Sequence, residues 1–115
     1  MVKSKSYVPE RADVVWLNFD LQLGHEQSGR RPALVISPKI YNEKTGLALF
    51  CPITSQVKNY PFEVRLPVNL EIDGVILSDQ VKNLDWKIRN AEFICKLPNI
   101  ALSETLNKIN VLINI

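Results

Sequence analysis

Apolar residues along this chain come in short runs, parted by polar stretches rich in Gly, Pro, Asn and Asp. Asp13–Phe19 (DVVWLNF) combines β-branched and aromatic residues and predicts a strand. Pro32–Ser37 (PALVIS) and Leu47–Ile53 (LALFCPI) are nearly continuous apolar runs and predict buried strands. The first opens on a proline, where a missing N–H matters least. Phe62–Pro67 (FEVRLP) alternates apolar and charged residues, as a half-buried strand does, and the Asp73-Gly74 dipeptide that follows signals a hairpin. VILSDQV and NAEFICKL predict two further strands with KNLDWKIR between them. The stretch PKIYNEKTG allows a turn or one short helix ending at Gly46. Only the last segment, ALSETLNKINVLI, changes period: Leu102, Leu106, Ile109 and Ile113 fall at helical spacing, with Ser103 placed to cap the start.

These runs add up to five to seven short strands and one C-terminal amphipathic helix. That is not the alternation of a parallel α/β sheet. It predicts a mainly β (α+β) protein built on a small, strongly bent antiparallel sheet or barrel.

Composition narrows the picture without redirecting it. A chain of 115 residues, 46% of them hydrophobic, suits one domain with a real core. One domain over 1–115 is therefore expected, with residues 1–10 as a loose N-terminal arm. The formal charge of +2 neither demands nor excludes a nucleic-acid partner. No apolar run reaches the length of a membrane span, and the basic start lacks the apolar stretch of a signal peptide, so a soluble, cytoplasmic protein is expected. Cys51 and Cys95 sit in apolar segments and read as buried thiols; one histidine and no Cys/His cluster argue against a metal site.

Candidate chemistry gathers in two polar loops that flank core strands. The first carries Gly24, His25, Glu26, Gln27, Gly29, Arg30, Arg31 and Pro32; the second carries Thr54, Ser55, Gln56 and Lys58. If PALVIS and LALFCPI pair as antiparallel neighbours, Arg31 at the start of one lies near Thr54 at the end of the other. That set lacks a nucleophile elbow, a metal-ligand cluster and a phosphate-binding glycine loop. It suits metal-free cleavage of RNA, where the 2′-OH is the nucleophile and the protein must orient it, move protons and stabilise charge on phosphorus. Arginine matches phosphate oxygens with a planar fork, and a hydroxyl adds a hydrogen bond. Each residue also has a plainer reading: Arg31 and Glu26 as surface ion-pair partners, Thr54 as a strand-end residue, His25 as a solvated loop histidine, Trp16 and Trp86 as core or interface packing rather than base-stacking surfaces.

Taken in order, YVPERADVVWLNFDLQLGHEQSGRRPALVISP, YNEKTG, CPITSQVKNYPFEV, DGVILSDQVKNLDW and KINVLI resemble the MazF/PemK family of toxin endoribonucleases over residues 7 to 113. The resemblance implies a CcdB/MazF-type fold: an SH3-like, strongly curved antiparallel β-barrel with a C-terminal helix, assembled as a homodimer. It implies sequence-specific, metal-independent and cofactor-free cleavage of single-stranded RNA, leaving a 2′,3′-cyclic phosphate and a 5′-OH, and a cognate MazE-like antitoxin whose acidic tail blocks the site. Carried residue by residue, the catalytic arginine falls on Arg31, the catalytic threonine on Thr54 and the loop glutamate on Glu26. His25 departs from the family's motif and is demoted as a base. An arginine holds its proton at neutral pH, so Arg31 is read as a phosphate clamp and general acid, and Glu26 as the acceptor of the 2′-OH proton. Further RNA contacts are expected at His25, Gln27, Ser55, Gln56, Lys58, Gln80, Lys82 and Arg89. The alternative is a non-catalytic, CcdB-like toxin that binds and poisons DNA gyrase.

Overall fold

The computed structural model describes residues 7–19 and 29–114. Seven strands and two helices follow in the order β1 (Asp13–Asn18), β2 (Arg30–Val35), α1 (Lys39–Thr45), β3 (Leu47–Thr54), β4 (Glu63–Arg65), β5 (Val75–Leu77), β6 (Lys82–Asp85), β7 (Glu92–Lys96) and α2 (Asn99–Ile113). All pairings among them are antiparallel, in the spatial order β4-β5-β3-β2-β1-β7 with β6 also on β3. The expected mainly β architecture with a C-terminal helix is present.

The bend of the sheet originates in β3. One edge of it pairs with β2 through Phe50, Cys51 and Pro52. The other edge is divided: its first half, Leu47–Phe50, pairs with β6, and its last residues, Ile53 and Thr54, pair with β5. One long strand thus belongs to two sheet segments.

The apolar runs are continuous because both faces of β1, β2 and β3 are covered. On one face Val14, Leu34, Ile36, Cys51 and Ile53 pack with Val64, Ile76 and Ala101, against Leu102, Leu106 and Ile109 of α2. On the other, Val15, Leu17, Ala33, Val35, Ala48 and Phe50 pack with Trp86. Cys51 and Cys95 are free, buried thiols. Residues at the end of the expected loose arm are held: Tyr7 and Val8 pack on this second core, the Tyr7 hydroxyl donates to Asp13, and the fully buried Asn42 side chain donates to the Pro9 carbonyl at 2.8 Å.

Three boundaries differ from the sequence reading. KNLDWKIR is not all connection, since Lys82–Asp85 forms β6. Its polar residues conceal a strand that is exposed at its start and half-buried at its end, and that pairs with an edge of β3. Strand β2 starts at Arg30, before the proline, so both arginines belong to it. Helix α2 starts at Asn99 behind Pro98, not near Ser103, which lies inside the helix and caps nothing; Pro98 stops the preceding strand and leaves the first helical turn without a side-chain cap. The expected short helix does form and ends at Gly46, whose φ of 75° is the left-handed conformation glycine accepts readily.

Candidate active site

Two hollows meet at the point where β2 begins and β3 ends. The first, about 620 Å³, is lined by Trp16, Arg31, Pro32, Ile53, Thr54 and Ser55 on one side and by Val68–Asp73 of the β4–β5 connection on the other. The second, about 340 Å³, is lined by Arg31, Thr54, Gln56, Lys58, Tyr60, Glu63, Leu77 and Gln80. Arg31 and Thr54 line both.

Register explains why. The β2–β3 pairs Ala33↔Pro52, Leu34↔Cys51 and Val35↔Phe50, continued by two residues, set Arg31 opposite Thr54. The two are brought together as the sequence reading expects. Alternation along β2 sends Arg30 and Arg31 to opposite faces. Arg30 is engaged, donating to Asn18 Oδ1 at 3.0 Å and to Glu92 Oε1 at 2.9 Å. Arg31 is exposed, and its guanidinium has no hydrogen-bond partner among the described residues. The Thr54 hydroxyl oxygen accepts the Gln56 N–H at 3.1 Å, which fixes the oxygen; its proton has no acceptor among the described residues.

The backbone behind Thr54 is tightly built. Gly74, at φ +126°, lies so close beneath it that a Cβ there would stand 2.3 Å from the Thr54 carbonyl oxygen. Its own carbonyl closes the β4–β5 connection by accepting the Leu66 N–H at 3.0 Å. The Asp73-Gly74 hairpin signal is thus real, but the connection spans residues 66–74 and forms one wall of the first hollow.

Electrostatics separate the hollows. The second presents Arg31 and Lys58 with the amides of Gln56 and Gln80. The carboxylate of Glu63, which also lines it, is occupied by two main-chain donors, Lys58 N–H at 3.0 Å and Tyr60 N–H at 3.3 Å. The first presents Glu71 and Asp73 opposite Arg31, beside an indole face. A phosphodiester fits the junction and the second hollow, and like charge keeps it from the far wall of the first.

Of the residues singled out from sequence, the structure gathers Arg31, Thr54, Ser55, Gln56, Lys58 and Gln80 around the two hollows. Lys82 is exposed on β6, paired with Phe50, and lines neither. Arg89 is committed elsewhere: its guanidinium donates to the carbonyls of Asn18 and Phe19. With the Phe19 N–H on Gly29 O at 3.1 Å, it secures the root of the segment between β1 and β2. His25, Glu26 and Gln27 lie outside the described residues. Trp86 is core, 6% exposed, with its indole N–H on Asn42 O. Trp16 is 37% exposed and lines the first hollow, so core packing is the wrong reading for it. Tyr60 and the carboxylates of the β4–β5 connection were missed; in sequence they are unremarkable loop residues, and only the fold brings them to Arg31.

Comparison with known proteins gives a consistent picture. Residues 10–113 match the family model described as PemK-like, MazF-like toxin of type II toxin–antitoxin system. The chain is 49% identical over 107 residues to an endoribonuclease toxin, MazF, of Escherichia coli (strain K12), covering 93% of this chain and 96% of the relative. A crystal structure of MazF from Deinococcus radiodurans superposes with a TM-score of 0.87 at 50% identity, over 96% of this chain and all of that one. A MazE–MazF complex from the same organism gives a TM-score of 0.85 at 45% identity over 96% of this chain and 99% of that chain.

Proposed function

The chain belongs to the PemK-like, MazF-like toxins of type II toxin–antitoxin systems, and from that membership we propose how its two hollows cleave RNA. It is an endoribonuclease toxin, and its cognate partner is a MazE-like antitoxin. The observation that carries the mechanism is that Arg31 and Thr54, from strands distant in sequence, line both hollows at their junction.

The scissile phosphate of a single-stranded RNA sits at that junction. The Arg31 fork holds the non-bridging oxygens, and the free proton of Thr54 adds a hydrogen bond that strengthens as charge develops on phosphorus. The 2′-OH attacks phosphorus as Glu26 takes its proton. The P–O5′ bond breaks, and the departing 5′ oxygen, more basic than a guanidine, takes a proton from Arg31. The products are a 2′,3′-cyclic phosphate and a 5′-OH. No water or metal enters the balance. The next phosphate lies in the second hollow against Lys58, Gln56 and Gln80, and a base stacks on Trp16 in the first. Ser55, His25 and Gln27 complete the contacts. Carboxylates of the antitoxin's acidic chain occupy the places of these phosphates.

A second copy of the chain covers the exposed end of α2, where Val111, Leu112 and Ile113 form an apolar surface. The protein acts in the cytoplasm, where its RNA substrate is; among the described residues no helix is long and apolar enough to cross a membrane. Nothing in the site favours the gyrase-binding alternative, which has no use for the pairing of Arg31 with Thr54.

The test is incubation of the purified protein with end-labelled RNA in the presence of EDTA. Fragments should share a short motif at the cut and carry 5′-OH ends, and Arg31→Ala should abolish them. Cleavage that needs added metal, or that survives Arg31→Ala, rejects the mechanism.

A further inference from the structure

The second hollow has two walls that come from different parts of the chain. One is residues 56–60, a stretch without helix or strand that carries Gln56, Lys58 and Tyr60. The other is the end of β5 and the turn after it, carrying Leu77 and Gln80. The first wall is fastened to the body of the protein near its C-terminal end. The Glu63 carboxylate takes the N–H groups of Lys58 and Tyr60, Ser78 Oγ donates to Phe62 O at 2.5 Å, and Lys108 Nζ of α2 donates to Pro61 O at 2.6 Å. The Ser78 hydroxyl bond, together with the Ser78 N–H on the same Phe62 carbonyl at 3.1 Å, joins the two walls where β5 ends. A further bond joins them through side chains: the Tyr60 hydroxyl donates to Asp79 Oδ2, and Asp79 immediately precedes Gln80 of the opposite wall.

Asp79 is distinguished by a second observation. Its other oxygen, Oδ1, is buried without a hydrogen-bond partner, the one such side-chain atom among the described residues. A buried carboxylate oxygen left unsatisfied is costly and is usually kept for a reason. Here Asp79 is held in place with a single side-chain donor, Tyr60. The bond keeps the phenol protonated as a donor, since the neighbouring carboxylate raises its pKa above the ordinary value. The Tyr60 ring is also steadied by Phe62, centroid to centroid 6.1 Å.

We propose that the Tyr60–Asp79 hydrogen bond is a strut that fixes the width of the second hollow, so that both are positioning residues setting Lys58 and Gln56 at phosphate-binding distance from Arg31. This rests on the reading of that hollow as the seat of an RNA phosphate. The strut holds the wall in its binding conformation before substrate arrives, which spares the ordering cost that a free loop would incur on binding. It touches no reacting atom and acts through Lys58.

The experiment measures KM and kcat on a cleaved RNA, together with the salt dependence of binding to single-stranded DNA of the same sequence, which lacks the 2′-OH and cannot be cut. The proteins are wild type, Tyr60→Phe, Asp79→Asn, Lys58→Ala and the double variant Tyr60→Phe with Lys58→Ala. Tyr60→Phe keeps the ring and its contact with Phe62, so the protein should stay folded, with only a modest fall in the thermal midpoint from the lost donor to Asp79. The expected result is a rise in KM of about tenfold with a much smaller change in kcat, since a displaced positioning group weakens binding of the flanking phosphate first. The slope of log affinity against log salt should fall by about 0.7 in Tyr60→Phe, as in Lys58→Ala, because one phosphate contact is lost. The double variant should bind no worse than Lys58→Ala. Asp79→Asn, which retains an acceptor oxygen, should lie between wild type and Tyr60→Phe. Wild-type slope and KM in Tyr60→Phe, or a loss that adds in full to that of Lys58→Ala, would overturn the strut alone. A wild-type protein that neither cuts the RNA nor binds the DNA would overturn the functional reading beneath it.

Discussion

Arg30 and Arg31 share chemistry, charge and strand, and differ only in the face to which alternation turns them. Arg30 spends its guanidinium on Asn18 and Glu92 at the surface. An exposed pair of this kind contributes about 0–1 kcal/mol, so Arg30→Ala should retain cleavage and shift the urea midpoint only slightly. Arg31 at the junction should behave oppositely. Arg31→Lys keeps the charge and loses the fork, and should lower kcat/KM by about a hundredfold or more while leaving stability unchanged. Measuring both variants for activity and unfolding separates the roles; equal losses in the two would undo the assignment. The same contrast divides the tryptophans: one indole is sealed in the core, the other stands at the mouth of the first hollow. Nothing within a few residues of either one distinguishes them.

At the scale of elements, the site depends on how closely two connections approach the end of β3. Gly74 supports Thr54 from below at a distance that leaves no room for a side chain, and its φ is one that L residues avoid. Gly74→Ala should therefore destabilise the fold by about 2 kcal/mol and also lower kcat by displacing Thr54, a coupling visible when urea unfolding and single-turnover cleavage are compared. Loss of stability with kcat intact would mean that the β4–β5 connection can shift without disturbing Thr54. Element types were largely legible from sequence, because apolar runs, alternation and the helical period each leave a mark. The two clear misses have physical reasons. Strand β6 is polar and owes its existence to an unoccupied edge of β3, a property of the sheet and not of KNLD. Helix α2 begins at a proline that sequence alone reads equally well as the end of a loop.

At the scale of the whole molecule, two properties follow from what is covered and what is not. Leu102, Leu106 and Ile109 of α2 face the core, whereas Ile113 is 73% exposed beside Val111 and Leu112. If a second copy covers that end, Ile113→Glu should shift sedimentation from dimer toward monomer; an unchanged sedimentation coefficient would place the interface elsewhere. Burial also sets the alkaline limit of the fold. It pushes the Cys51 thiol up to about 12, and burial with the Asp13 carboxylate raises the Tyr7 phenol as well. Both groups hold their protons more tightly folded than unfolded, so their contribution is complete at neutral pH and is lost as pH rises above the free thiol's range near 9. The Cys51 part of that loss is at most about 1.4 kcal/mol per pH unit. Thermal midpoints should fall steadily from about pH 9 upward, and Cys51→Val should flatten part of the decline.

The local pattern of the chain determined most of the strands, the C-terminal helix and the apolar runs of the core, and it suggested the antiparallel pairing of β2 with β3 that makes Arg31 face Thr54. It also held the motifs whose resemblance to the family points to Arg31, Thr54 and Glu26 as the proposed catalytic set. The tertiary structure alone decided which of two adjacent arginines has no partner among the described residues, which tryptophan is exposed, that Arg89 donates to the backbone of Asn18 and Phe19, and that Tyr60 reaches Asp79. Those outcomes depend on which groups long-range packing brings within a hydrogen bond of one another. That distance is set by the divided edge of β3 and by the docking of α2, neither of which is written in any short stretch of the sequence.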